Sequence, residues 1–124
     1  MVTDLLIPFA YSLDTTASIA RAYANDPAAA LFALFESGCD RLPLPGCGHT
    51  LERWRALAAV AEADLSLAKL FESHTDALAI HAELGVALPH HREIWAVWAA
   101  ESGHDRLRFE RESGEVIRIT GRKF

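Results

Sequence analysis

Apolar residues recur at helical spacing through most of the first 85 positions, and then the period changes. From Asp14 to Ala24, Ile19, Ala20 and Tyr23 share one side of a predicted helix. Asp26-Pro27 restarts the chain, since Asp accepts from free first-turn amides and Pro suits the first helical position. The second helix, near 26–37, carries Leu31, Phe32, Leu34 and Phe35, and Gly38 suits the left-handed position that closes it. Two prolines and two glycines make Cys39–His49 a loop. Thr50 is the expected cap of a helix near 50–63, with Leu51, Trp54, Leu57, Ala58, Ala61 and Leu65 at helical intervals. Asp64 caps a further helix near 65–84. Its polar residues Lys69, Glu72, Asp76 and Glu83 form one narrow stripe, so most of its circumference is expected to be buried, and Gly85 ends it. The core is expected to join Trp54, Leu57 and Ala61 to Leu67, Phe71 and Leu78.

After Gly85 the pattern turns to strands. Ile94–Ala100 is a short apolar run with two Trp and a Val, read as a buried strand whose Trp95 and Trp98 point to opposite faces. Leu107–Glu112 alternates, Ser113-Gly114 turns, and Glu115–Thr120 places Ile117 and Ile119 on one face, which predicts a hairpin. The expected class is α+β: an N-terminal helical bundle followed by a short antiparallel β segment.

Composition changes this picture little. The 124 residues are 51% hydrophobic and 23% charged, an ordinary globular balance, with a formal net charge of −5. An acidic chain without a basic face argues against nucleic-acid binding. No run of 18 uncharged apolar residues exists, so no membrane span is expected, and the N-terminal run lacks the basic start of a signal peptide. Two cysteines make no disulfide framework and fit a reducing, cytoplasmic setting.

The candidate chemistry is sparse. Cys39, Cys47 and His49 share a loop without the paired close spacing of zinc ligands, so no metal is expected. His74 and His81 stand two helical turns, about 10 Å, apart, too far for one ion. His74 reads better as a half-buried group with a hydrogen-bond partner. Glu62, Asp64, Glu72 and Asp76 could do acid–base work, but a solvated stripe explains them more simply. No catalytic triad and no phosphate-binding glycine loop is present.

Several stretches resemble an acyl-CoA dehydrogenase: Arg53-Trp54, Asp64–Ala68, Glu72–Ala77 and Trp95–Glu101. The resemblance implies an N-terminal helical domain over 1–88, the beginning of a middle β domain over 89–124, and an incomplete copy of that family's fold. It implies an FAD-dependent oxidoreductase that dehydrogenates an acyl-CoA thioester between its α and β carbons. Acyl-CoA and an electron acceptor would be the partners of the full-length protein, and homo-oligomers are expected. Trp98, Ala99, Ala100, Glu101 and Ser102 match the family segment that borders the flavin. Ala100 stands where a Thr is usual and Ser102 where a Pro is usual. Ala68, Phe71, Glu72 and Thr75 match the helix at the deep end of the acyl pocket. The family's carboxylate base has no counterpart, so no catalytic residue is assigned, and the chain is expected to be an N-terminal fragment, inactive alone. A flavin monooxygenase of the same fold and a non-enzymatic helical interaction module are the alternatives.

Overall fold

A computed structural model describes residues 12–87, 93–99, 106–114 and 116–121. Four helices, α1 (Leu13–Ala22), α2 (Pro27–Glu36), α3 (Thr50–Ala63) and α4 (Leu65–Glu83), precede a two-stranded antiparallel sheet of β1 (Arg108–Ser113) and β2 (Val116–Thr120). The class is α+β, as the change of period predicts.

The helix boundaries follow local chemistry. Ser12 caps α1 through the Thr15 amide, and Asp26 caps α2 by accepting from the Ala29 amide at 3.0 Å, with Pro27 at the first helical position. Gly38 takes φ 71° just past α2, a conformation that a Cβ would strain. Asp64 ends α3 and begins α4. Its extended backbone breaks the helix while its carboxylate accepts from the Leu67 amide at 2.9 Å. Thr50 is not the cap of α3. His49 holds that position without a side-chain cap bond, and its ring instead pairs with Glu52 at 3.1 Å.

α1 packs on α2 and α3, and α4 packs on α2 and α3. Ala20, Ala30, Leu31, Leu34, Cys39, Leu42, Ala56, Val60, Leu67 and Phe71 form the core. The small alanines let the helices approach closely, while Leu34, Leu67 and Phe71 fill the middle.

The expected place of Trp54 in this core is corrected: its side chain is 63% exposed. The buried stripe of α3 is Arg53, Ala56 and Val60, one position earlier than apolar spacing suggests. Arg53 goes inside because its guanidinium finds acceptors there. It donates to the Pro43 carbonyl at 3.1 Å, to Thr75 Oγ1 at 3.4 Å and to Asp76 Oδ1 at 2.7 Å. Leu57 is only partly buried against the core, and Ala61 is of intermediate exposure, whereas Leu67, Phe71 and Leu78 are buried as expected. The apolar circumference of α4 is also less covered than its sequence implies, since Leu65, Leu70 and Ile80 are exposed.

A second correction concerns Ile94–Ala100. Residues 93–99 form no strand, and Ala100 lies outside the described residues. Their neighbour is a helix rather than another strand. Ser73 Oγ accepts the Val97 amide at 2.8 Å and donates to the Val97 carbonyl at 3.0 Å. One hydroxyl thus meets both backbone groups that a partner residue in an antiparallel ladder would meet. Nor do the tryptophans enter the core: Trp95 is 40% exposed and Trp98 74%.

The hairpin forms as predicted, pairing Phe109 with Ile119 and Arg111 with Ile117, with an irregularity between Arg111 and Ser113. Arg118 meets Glu112 across it. Gly121, at φ 132°, lies so close to the Arg106 carbonyl oxygen that a Cβ would collide with it. All the strand residues described are exposed, including Phe109, Ile117 and Ile119 on one face.

Candidate functional site

Three of the residues singled out for chemistry, Glu72, Trp98 and Ala99, meet along one side of α4. Its polar stripe presents Lys69, Glu72 and Asp76 at one-turn intervals, and the Ser73 clamp lays residues 93–99 beside it. The result is an open groove of about 290 Å³ lined by Lys69, Glu72, Ser73, Asp76, Val97, Trp98 and Ala99. A second, shallower depression of about 400 Å³ lies between α3 and α4, lined by Leu57, Ala58, Ala61, Leu65, Ala68, Lys69 and Glu72. Lys69 and Glu72 border both and separate them.

The charges along this side are paired. Lys69 Nζ donates to Glu72 Oε2 at 2.9 Å, and this hydrogen bond, with the carboxylate's charge, holds the ammonium above its ordinary pKa. Asp76 is answered by the Arg53 guanidinium, and Asp64 is spent on the α4 cap. None of these three carboxylates is left as a bare acid or base.

The predicted site residues divide accordingly. Trp98 and Ala99 from the expected flavin border, and Glu72 from the expected acyl pocket, share the first groove, while Ala68 opens on the second. Phe71 and Thr75, expected to line an acyl pocket, are instead buried in the helical packing. Phe71 fills the core, and the Thr75 hydroxyl donates to the Glu72 carbonyl at 3.1 Å while accepting from Arg53. The reason is phase: positions 71 and 75 lie on the inward stripe with Leu67, His74 and Leu78. Ala100, Glu101 and Ser102 lie outside the described residues.

Against residues 93–99 lies a polar pair of which the sequence marked one member: His74 has the hydrogen-bond partner expected of it, whereas Asp40 as that partner was not foreseen. His74 is fully buried rather than half-buried. Its Nε2 is 3.1 Å from Asp40 Oδ2, and its Nδ1 accepts the Trp95 amide at 3.1 Å. Phe35 closes over the imidazole edge-on, with ring centroids 5.9 Å apart. Asp40 follows the turn at Gly38 and belongs to the buried stretch after α2, with Cys39, Leu42 and Pro43. The available signal was His74 itself, since a histidine on an inward stripe requires partners.

Cys39 is buried and Cys47 exposed, so their loop does not gather them, and no described group of three His, Cys, Asp or Glu residues is placed to hold a metal. Among the described residues, no helix is long and apolar enough to cross a membrane. Compared with protein-family models, curated proteins and solved structures, the chain shows no match.

Proposed function

We propose that this chain is the N-terminal part of an FAD-dependent oxidoreductase of the acyl-CoA dehydrogenase type, acting on an acyl-CoA thioester. In this reading the four helices are that family's N-terminal domain, and residues 93–99 are one border of the cleft shared by flavin and thioester. The observation that carries the reading is the Ser73–Val97 clamp. It brings Trp98 and Ala99, which the resemblance assigns to the flavin, alongside Glu72, which it assigns to the thioester.

The described residues suit only part of a flavin. The exposed Trp98 ring and the small Ala99 offer a flat, apolar border for a ring system. The groove's charges are the carboxylates of Glu72 and Asp76 against one ammonium already paired, which is the wrong sign for a pyrophosphate. No reaction step is therefore assigned to these side chains. A cytoplasmic, homo-oligomeric enzyme with a separate electron acceptor belongs to the same proposal.

One observation favours a different class. Leu51, Trp54 and Leu65 are each more than half exposed on α3 and the start of α4, as an interaction module would require. The test is expression of the complete reading frame, followed by its visible spectrum and anaerobic titration with acyl-CoAs of several lengths. A yellow protein bleached by an acyl-CoA is the expected result. A colourless protein that neither takes up FAD nor responds to any thioester would leave the interaction module standing. Bound flavin that reacts with oxygen but ignores thioesters would favour the monooxygenase.

A further inference from the structure

The buried imidazole of His74 has its protonation state written into its contacts. A backbone amide can only donate, so Nδ1, which meets the Trp95 amide at 3.1 Å, carries a lone pair. The ring is therefore neutral, with its hydrogen on Nε2, donated to Asp40 Oδ2. The second carboxylate oxygen, Asp40 Oδ1, is buried without a hydrogen-bond partner, and Arg41 Nε stands 3.7 Å from Oδ2. The Trp95 amide opposes a second proton on the ring, because that proton has to occupy the position where the amide points.

We propose that the Asp40–His74 pair is a proton-operated clasp: the neutral ring holds residues 93–99 against α4, and protonation at Nδ1 releases the Trp95 end. The closed form binds one proton fewer than the open form, so acid favours opening. The two Ser73–Val97 bonds do not titrate and act as the pivot. The loop after α2 presents Asp40 and Arg41 to the ring, and Phe35 of α2 brings no charge. Arg53 of α3 is committed to Asp76. On α4 itself His81 lies edge-on to the Trp95 ring, centroids 4.6 Å apart, and among the described residues is the other imidazole against this segment. Opening would reposition Trp98 and Ala99, and with them one side of the groove. The inference needs no flavin and stands apart from the proposed function.

The test uses the 124-residue chain itself. Long-range proton–nitrogen NMR of the His74 ring reports its tautomer, and amide exchange of Trp95 and Val97, corrected for intrinsic rates, reports closure as pH falls. A neutral ring with hydrogen on Nε2 is expected near neutral pH. As His74 gains its second proton, Trp95 protection should fall about five- to tenfold, the equivalent of one hydrogen bond, with Val97 less affected. In His74→Asn the side-chain oxygen can still accept from Trp95 but does not titrate, so protection should be flat with pH. His81→Gln should preserve the response. Trp95 protection that is unchanged while His74 becomes doubly protonated overturns the proposal. So does a response that vanishes in His81→Gln. If His74→Asn does not fold, the wild-type ring spectrum and the His81→Gln response decide the question by themselves.

Discussion

Replacing Arg53 with Met tests why a guanidinium displaces tryptophan from the inside of α3. Methionine keeps most of the length and packing but removes every donor. Its three acceptors then fare differently. The Asp76 side chain is 48% exposed and can return to water, which costs below about 1 kcal/mol for such a pair. Thr75 loses a long 3.4 Å contact but keeps its bond to the Glu72 carbonyl. Pro43 is buried, and its carbonyl loses the 3.1 Å bond from Arg53. A buried acceptor deprived of a charged donor costs about 1–3 kcal/mol, so the total should be about 2–4 kcal/mol. With a urea slope of about 1–3 kcal/mol per molar, the unfolding midpoint should drop by about 0.7–4 M. Asp76→Asn should cost much less, and the double variant little more than Arg53→Met alone. If Arg53→Met unfolds at the wild-type midpoint, the buried contacts carry no stability. Equal losses in the two single variants would place the energy in the ion pair rather than at the carbonyl.

Other expectations can be checked in the same way. Trp54→Ala should cost below about 1 kcal/mol, as usual for a surface site, whereas Phe71→Ala should cost about 3–5 kcal/mol, and urea unfolding of both ranks them. Glu72→Gln should lower the Lys69 pKa, read by NMR of the labelled amine. Because the folded value is raised, the pair's contribution is complete below the unfolded lysine pKa and fades as pH rises through the folded one. Ser73→Ala should release the Val97 end of residues 93–99 and change the Trp emission spectrum, and an unchanged spectrum would mean that the clamp does not hold that end. In the complete protein, Ala100→Thr should alter flavin absorbance or affinity. Identical values in the variant would count against a flavin border at residues 98–102.

What was legible in the sequence is what short-range chemistry decides. The Asp26-Pro27 start, the Asp64 junction, the turn at Gly38 and the hairpin all depend on contacts within a few residues, and each appears where expected. Three of the misreadings share a cause in distant partners. Arg53 is inside because of a carbonyl ten positions earlier and residues more than twenty positions later. Residues 94–99 have β-like composition, yet their backbone is taken by a serine on a helix 24 positions away. Asp40 and His74 are separated by 34 positions, and no local pattern around Asp40 marks it for burial. Of the residues that the resemblance named, Trp98, Ala99 and Glu72 share the groove, whereas Phe71 and Thr75 lie on the inward stripe of α4.

The Asp64 junction leaves no slack in the chain. One residue closes α3 and opens α4, so the rotational phase of the second helix is set by the length of the first. Each residue advances a helix by about 100°, so a single insertion near residue 64 would turn Leu67, Phe71 and His74 away from α2 together. The same turn would carry Ser73 from Val97 and Thr75 from Arg53. Point substitutions at Asp64 cost a cap, but insertions and deletions there reset every long-range contact of α4 at once. The junction should therefore tolerate changes of residue type far better than changes of length, whereas the exposed loop at 45–49 should accept both.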